Sequence, residues 1–342
     1  MLGMIKQEGY QVKLHNSSYT SRTSKWGLHG LVSKRFQQGW RSQHRVRRLI
    51  GYLLIPWMTG CAAFNHTGPD SPQPLFTVPA MDPPPRVALV LGSGGPRGYA
   101  HIGVMRVLEE AGIEVDLVVG TSVGSLLGAF WAAGKSAGEI DALSQTGGPL
   151  TLFDPTPFAD RGWIRGQKLQ DYVNQQLGDP VIEGLPRRLV VGVTRRNDKM
   201  PMFLMNGNAG VAVRASSAVP GIVSPVGIEG VEFEDGDESL PLAVRAARQA
   251  GAQFVIAVDV TPSPERAPAG TSAAQLDRIA QRVARTAPEA ALADFVIHAD
   301  LQFGASPLPS FFRYARQAGE DKAREVLPAL LIALADKGVV PK

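Results

Sequence analysis

Two short apolar runs, each broken by a glycine-rich turn that leads straight into helical periodicity, constrain this chain more than any other feature: VLGSGGPRGYAHIGVMRVLEEAGIEVDLVVGTSVGS, residues 90–125. Apolar runs without alternation suit strands buried on both faces, and the order strand, turn, helix recurs downstream. VALVLG (87–92), VDLVVG (115–120), RLVVGVT (188–194), QFVIAVDV (253–260) and DFVIHADL (294–301) read as such strands. Helices are expected to begin near Gly98, Ser122, Lys168, Leu240, Ala274 and Glu320. The alternation predicts an α/β fold: a three-layer α/β/α sandwich with a mostly parallel central sheet and its ligand site at the carboxyl ends of the strands.

The second turn, Gly120-Thr121-Ser122-Val123-Gly124, is a G-x-S-x-G sequence between a strand and a helix. A strand that reverses directly into a helix brings backbones too close for Cβ atoms, which is the use of its glycines, and it leaves the Ser122 hydroxyl exposed at a helix N-terminus. A serine that merely caps a helix has the same local sequence. In the first turn, GSGGPRG (92–98), Arg97 stands where a dinucleotide-binding fingerprint requires its third glycine, and no Gly-Lys-Ser/Thr follows, so neither nucleotide motif is satisfied. Consecutive backbone N–H groups there, those of Gly94 and Gly95, suit an oxyanion hole.

A serine hydroxyl needs a base. Beyond residue 61 the histidines are His66, His101 and His298, one near the front, one within the first helix and one interrupting an apolar strand, where a buried structural role is expected. Asp235-Gly236 follows the short run VEFE and precedes LPLAVRAARQAG, which puts its carboxylate at a strand end, although Asp-Gly is also an ordinary turn and Glu234, Asp237 and Glu238 give the loop a solvated look. Ser122, Asp259 and His298 occur in the chain order of an α/β-hydrolase triad. No Cys/His cluster or calcium loop is present, so no cofactor and no metal are expected.

The formal net charge is +4, but residues 1–60 hold 10 of the 35 Lys and Arg and one of the 31 acids, Glu8. From Cys61 onward 25 basic residues face 30 acidic ones, a net charge of about −5, which excludes a basic field for nucleic acid. Within the front end, Arg41, Arg45, Arg47 and Arg48 precede an apolar run of ten residues (49–58) and then Thr59-Gly60-Cys61. Ten residues are too few to span a bilayer and suit a secretory signal core. Cys61, the single cysteine, resembles the lipidated residue of a bacterial lipobox, with Met58 where Leu is commoner; an uncut anchor is the alternative. Residues 69–85 hold seven prolines and read as a stiff tether. The expected organisation is an N-terminal extension and lipoprotein signal (1–60), a Pro-rich tether (61–85) and one catalytic domain (86–342, core 86–262). The expected location is the bacterial envelope, lipid-anchored to the outer membrane and facing the periplasm.

Together GSGGPRG, GTSVG, RASSAVPGIVSPV (214–226) and the Asp-Gly turn followed by LPLAVRAARQAGAQFVIAVDV resemble the patatin-like phospholipase family over about residues 86–262, with 263–342 similar only loosely. The resemblance implies a patatin-like fold and a lipid acyl hydrolase, phospholipase A or lysophospholipase in type. It further implies Ser122 as nucleophile, Asp235 as base in a Ser/Asp dyad, an acyl-enzyme, oxyanion donors at Gly94 and Gly95, and a phospholipid or other acyl ester as substrate. Arg97 matches that family's basic loop residue, and Ser216, Ser217 and Pro220 match a segment near its site. The family turn usually reads Asp-Gly-Gly or Asp-Gly-Ala; here Asp237 adds a second carboxylate that either raises the pKa of Asp235 or points to solvent. The rival readings are a Ser/Asp/His esterase and a lipoprotein that binds lipid or a partner without catalysis.

Overall fold

The computed structural model describes residues 65–146, 152, 154–155, 161–178 and 180–340. Cys61 and the proposed signal segment lie outside them. The apolar runs form β2 (Val87–Leu91), β3 (Leu117–Thr121), β4 (Arg188–Arg195), β8 (Phe254–Asp259) and β9 (Phe295–His298). Shorter strands complete the sheet: β1 (Asn65–His66), β5 (Pro201–Leu204), β6 (Val226–Ile228) and β7 (Val231–Asp235). The order is β1-β6-β7-β4-β3-β2-β8-β9, with β5 added to β4. The β2, β3, β4, β8 and β9 pairings are parallel, and β4 with β5, β4 with β7 and β6 with β7 are antiparallel.

Alternation along the strands divides the core. Val87, Leu89 and Leu91 pack with Val118 and Val191 on one face, and Ala88 and Val90 with Leu117, Val119 and Val190 on the other. The first face is covered by α1 (Ala100–Glu110), α2 (Val123–Ala132) and the long C-terminal α8 (Pro309–Asp336), with α5 (Ala209–Ser216) packed alongside. The second is covered by α6 (Val244–Gln249). α3 (Ala137–Thr146), α4 (Gln167–Leu177) and α7 (Ala273–Ala290) complete the described helices. This is a mostly parallel central sheet with helices on both faces, as the alternation predicts.

Three features depart from expectation. The stretch read as a tether lies on the domain from Asn65 onward: β1 pairs with β6, Leu75 bridges to Phe203, the N–H of the buried Val78 donates to Gln249 Oε1 (2.9 Å), and Met81 N–H donates to Ala250 O (3.0 Å). Its prolines stiffen a strap, and its apolar residues have somewhere to go. The C-terminal helix starts at Pro309, not near Glu320, because a proline is well placed in a first turn whose N–H groups have no partner. α5 has no apolar run long enough to announce it; Asn208 caps it by accepting from Val211 N–H at 3.0 Å.

One detail of the sheet positions everything that follows. β5 occupies one edge of β4 at residues 191–194, so β3, opposite Gly192 through Thr121, and β7, opposite Val193 through Asp235, must share the other edge. Where β3 turns away into α2, β7 enters antiparallel and continues the ladder.

Candidate active site

Ser122 stands at that junction with φ 54° and ψ −123°, a conformation rarely held by a residue with a Cβ and costing on the order of 1–3 kcal/mol. The surroundings over-determine it. The Ser122 carbonyl accepts from Ser125 N–H (2.8 Å), Leu126 N–H (3.2 Å) and the Ser125 hydroxyl (2.6 Å). Its N–H donates to Ser216 Oγ at 2.8 Å, and that hydroxyl donates on to Gly192 O at 2.6 Å. Both flanking glycines are sterically required: a Cβ on Gly120 would come 2.5 Å from the Gly124 carbonyl oxygen, and one on Gly124 would strike the Leu91 carbonyl.

The Ser122 hydroxyl donates to Asp235 Oδ2 at 2.8 Å. Asp235 is 2% exposed, its Oδ1 accepts from Asp237 N–H (2.9 Å), and its carbonyl accepts from the Thr194 hydroxyl (2.8 Å). Burial pushes its carboxyl up to about 7, against the opposing pull of the Ser122 hydrogen bond and the Arg282 charge. A buried carboxylate near 7 is a far better proton acceptor than one in water.

Gly94 and Gly95 lie across from this pair in a turn that enters a short 3-10 segment, Gly95–Tyr99, where Gly95 has φ +54°. Neither amide donates to a protein acceptor among the described residues, while the neighbouring N–H groups of Gly92, Ser93 and Arg97 are taken by Val258, Pro241 and Gly94 carbonyls. From below, His101 Nε2 donates to the Gly92 carbonyl at 2.7 Å; the acceptor fixes the tautomer, and burial lowers the ring to about 4, so it is neutral. Behind the loop, Tyr99 stacks on Phe312 of α8 with centroids 4.1 Å apart. Arg97 lines the pocket and anchors on the Phe303 carbonyl.

Asp237 does not act on Asp235 as like charge. It pairs with Arg282 of α7 and accepts from the Ser93 hydroxyl, and Arg282 Nη2 also donates to Ser93 O (2.6 Å). Glu234, expected in a solvated loop, is 3% exposed and paired with Lys199. These ties cross from residue 93 to 237 to 282, and local sequence carries little trace of them; the signal available was the spacing of Arg278, Arg282 and Arg285, which puts all three on one helical face.

The remaining histidines stay outside. His66 lies in β1 at the far edge of the sheet. His298 is not the buried residue expected: its side chain is 45% exposed at the end of β9, with Nδ1 3.2 Å from Asp259 Oδ2, and that carboxylate raises its pKa. β9 is three strands from β3, roughly 14 Å at ordinary strand spacing. The Ser122, Asp259, His298 triad is therefore not assembled. Ser216 lies beneath the nucleophile, whereas Pro220 is exposed on the following loop.

Ser122, Asp235, Gly94 and Gly95 open into a cavity of about 580 Å³ whose walls include Val219, Val260, Pro262 and the Arg278, Ile279 and Arg282 side of α7. The pieces of the loop-and-elbow resemblance thus converge on one cleft. Residues 89–242 match the model of the patatin-like phospholipase family. The chain is 36% identical over 185 residues to an uncharacterised NTE family protein of Mycobacterium tuberculosis, covering 52% of this chain and 50% of that one. It is 33% identical over 193 residues to a lysophospholipase of Aspergillus fumigatus, covering 53% of this chain and 12% of that one. The chain thus spans half or less of the length of these curated relatives. Among solved structures, VipD from Legionella pneumophila aligns with a TM-score of 0.46 at 12% identity over 71% of this chain and 66% of that one.

Proposed function

We propose that this protein is a serine ester hydrolase acting on lipid acyl esters through a Ser122/Asp235 dyad. The observation that carries the reading is the 2.8 Å hydrogen bond from the Ser122 hydroxyl to a buried carboxylate whose pKa lies near 7. The match to the patatin-like phospholipase model and the relatives named as lysophospholipases support the substrate class. The apolar wall of Val219, Val260, Pro262 and Ile279 suits an acyl chain delivered from a lipid surface.

Attack by Ser122 Oγ on the ester carbonyl carbon transfers the hydroxyl proton to Asp235 Oδ2. The carbonyl oxygen becomes an oxyanion facing the free amides of Gly94 and Gly95, donors of a kind worth about 3 kcal/mol each in the transition state. Collapse breaks the bond to the leaving alcohol, which takes the proton from Asp235 and leaves an acyl-Ser122 ester. Water then gives its proton to the same carboxylate as it attacks, and the second collapse returns that proton to Ser122 and releases the fatty acid. Cys61, read as an acylated anchor, would hold this cleft at a membrane; its lipobox-like context is the support for that part.

Fluorophosphonate labelling of the full chain, with hydrolysis of a lysophospholipid followed by product analysis, tests the reading. Labelling and turnover are expected in the wild type and absent from Ser122→Ala. A wild type that neither labels nor turns over would favour a non-catalytic lipid binder.

A further inference from the structure

The three arginines of α7 that line the pocket are not equally committed. Arg282 is fully engaged: it pairs with Asp237, its Nη2 reaches Ser93 Oγ at 3.0 Å, and its Nε reaches Thr261 Oγ1 at 3.2 Å. Arg278 and Arg285 line the same cavity, and neither has an acidic partner among the described residues. The Nε atoms of Arg285 and of Arg97 are shielded from solvent yet have no hydrogen-bond partner. Buried donors left unpaired are costly, and their cost is recovered when an acceptor arrives.

Charge tells the same story. Of the acids on the walls, Asp237 is neutralised by Arg282 and Asp235 is enclosed against Ser122, which leaves the exposed Glu238 as one acid against Arg97, Arg278 and Arg285 in the same lining. Burial first, and then the charges of Arg97 and Arg285 acting against that of Asp235, bring Arg282 down to about 10, a sign of how closely the guanidinium groups are gathered. Arg278 and Arg285 are seven residues apart on one face, roughly 10 Å along the axis, within the span of two long side chains converging on one group. A single guanidinium fork saturates a planar carboxylate, whereas two forks and a further N–H suit a tetrahedral oxyanion with several acceptor oxygens.

We propose that Arg278 and Arg285, backed by Arg97, form a subsite for a phosphate group carried on the alcohol portion of the ester substrate. The inference rests on the ester-hydrolase reading and deepens it: the acyl chain of a lipid carries no charge, so an anion recognised beside Ser122 belongs to the leaving group. α7 lies beyond the matched residues 89–242, so the subsite is a property of this chain's C-terminal part.

The test compares kcat/KM of the full chain on a 1-acyl lysophosphatidate and on the monoacylglycerol of the same chain length. The wild type is expected to prefer the phosphate-bearing ester at least tenfold. In the R278Q/R285Q double variant that ratio is expected to fall at least tenfold, through KM more than kcat, with R278K/R285K restoring part of it. A wild-type ratio near one, or a ratio that the substitutions leave unchanged, overturns the proposal while leaving the hydrolase intact. Should neither ester be cleaved, the hydrolase reading fails by itself, and calorimetric titration with inorganic phosphate decides the subsite: binding by the wild type and none by the double variant supports it, and no binding overturns it. Phosphate binding together with a wild-type ratio near one assigns the site to the free ion and refutes the head-group assignment.

Discussion

Replacing Asp235 by Asn should inactivate the protein and, above neutral pH, stabilise it. The carboxyl is 2% exposed, and burial lifts it from an ordinary 3.8 to about 7. Folding therefore strengthens proton binding, so the contribution of this group to stability is fully present below the unfolded pKa and is lost as pH rises through the folded one. Between those two values the folded state holds a proton the unfolded chain has released, and stability falls by about 1.4 kcal/mol per pH unit, about 4 kcal/mol in all. Between pH 5 and pH 8 the wild type should lose about 3 kcal/mol to this group. Asn, nearly the same shape and without a titrating proton, loses none. Other groups titrate in both proteins, so the difference between the two curves isolates Asp235. At about 2–4 °C per kcal/mol for a domain of this size, the melting temperature of Asp235→Asn relative to wild type should rise by about 6–12 °C over that interval and level off above pH 8. Thermal or urea unfolding at half-unit pH steps reads it. Parallel curves would refute the reasoning, since they would mean that the carboxylate is solvated or fully compensated in the folded state. Wild-type kcat/KM should climb through a midpoint near pH 7 as the base is deprotonated, and Asp235→Asn should lose on the order of 10²–10⁴ in turnover.

Ser216→Ala removes the acceptor of the Ser122 amide and the donor to Gly192 O, and should lower stability by about 1–3 kcal/mol and turnover of a p-nitrophenyl ester about tenfold, measured by urea unfolding and steady-state assay. His298→Ala, at the exposed end of β9, should leave turnover within about threefold of wild type; a collapse with the fold intact by circular dichroism would restore the triad reading. Ser122→Gly relieves the positive φ and should raise stability by about 1 kcal/mol while abolishing fluorophosphonate labelling.

The parts of this structure that were legible in sequence are those determined locally. β2, β3, β4 and β8 are buried on both faces and announce themselves as apolar runs. Gly120 and Gly124 are demanded by contacts within the elbow and with the adjacent Leu91, so the turn carries its own signature around Ser122. β5 and β6 are four and three residues long, too short to announce themselves, and they form because β4 offers an edge to β5 and β7 offers one to β6. The docking of the strap at 65–85 is not legible, because proline content describes stiffness and says nothing of what a stiff segment lies against. Asp237 looked like a threat to the base until its partner, 45 residues further on, was in view. No local pattern ties residue 93 to residue 282.

The handover of one β4 edge from β3 to β7 has a consequence for how such a protein can diversify. Hydroxyl and carboxylate hang from neighbouring rungs of a single ladder, so their separation is a lattice constant of the sheet, indifferent to the chain that travels between them. Within the excursion from residue 196 to 230, β5, Ser216 and Ala218 hold the site in place, whereas the exposed stretch 219–222 can be exchanged without shifting either reacting atom. Appetite for new substrates can be rewritten there while the machinery that cuts them stays still.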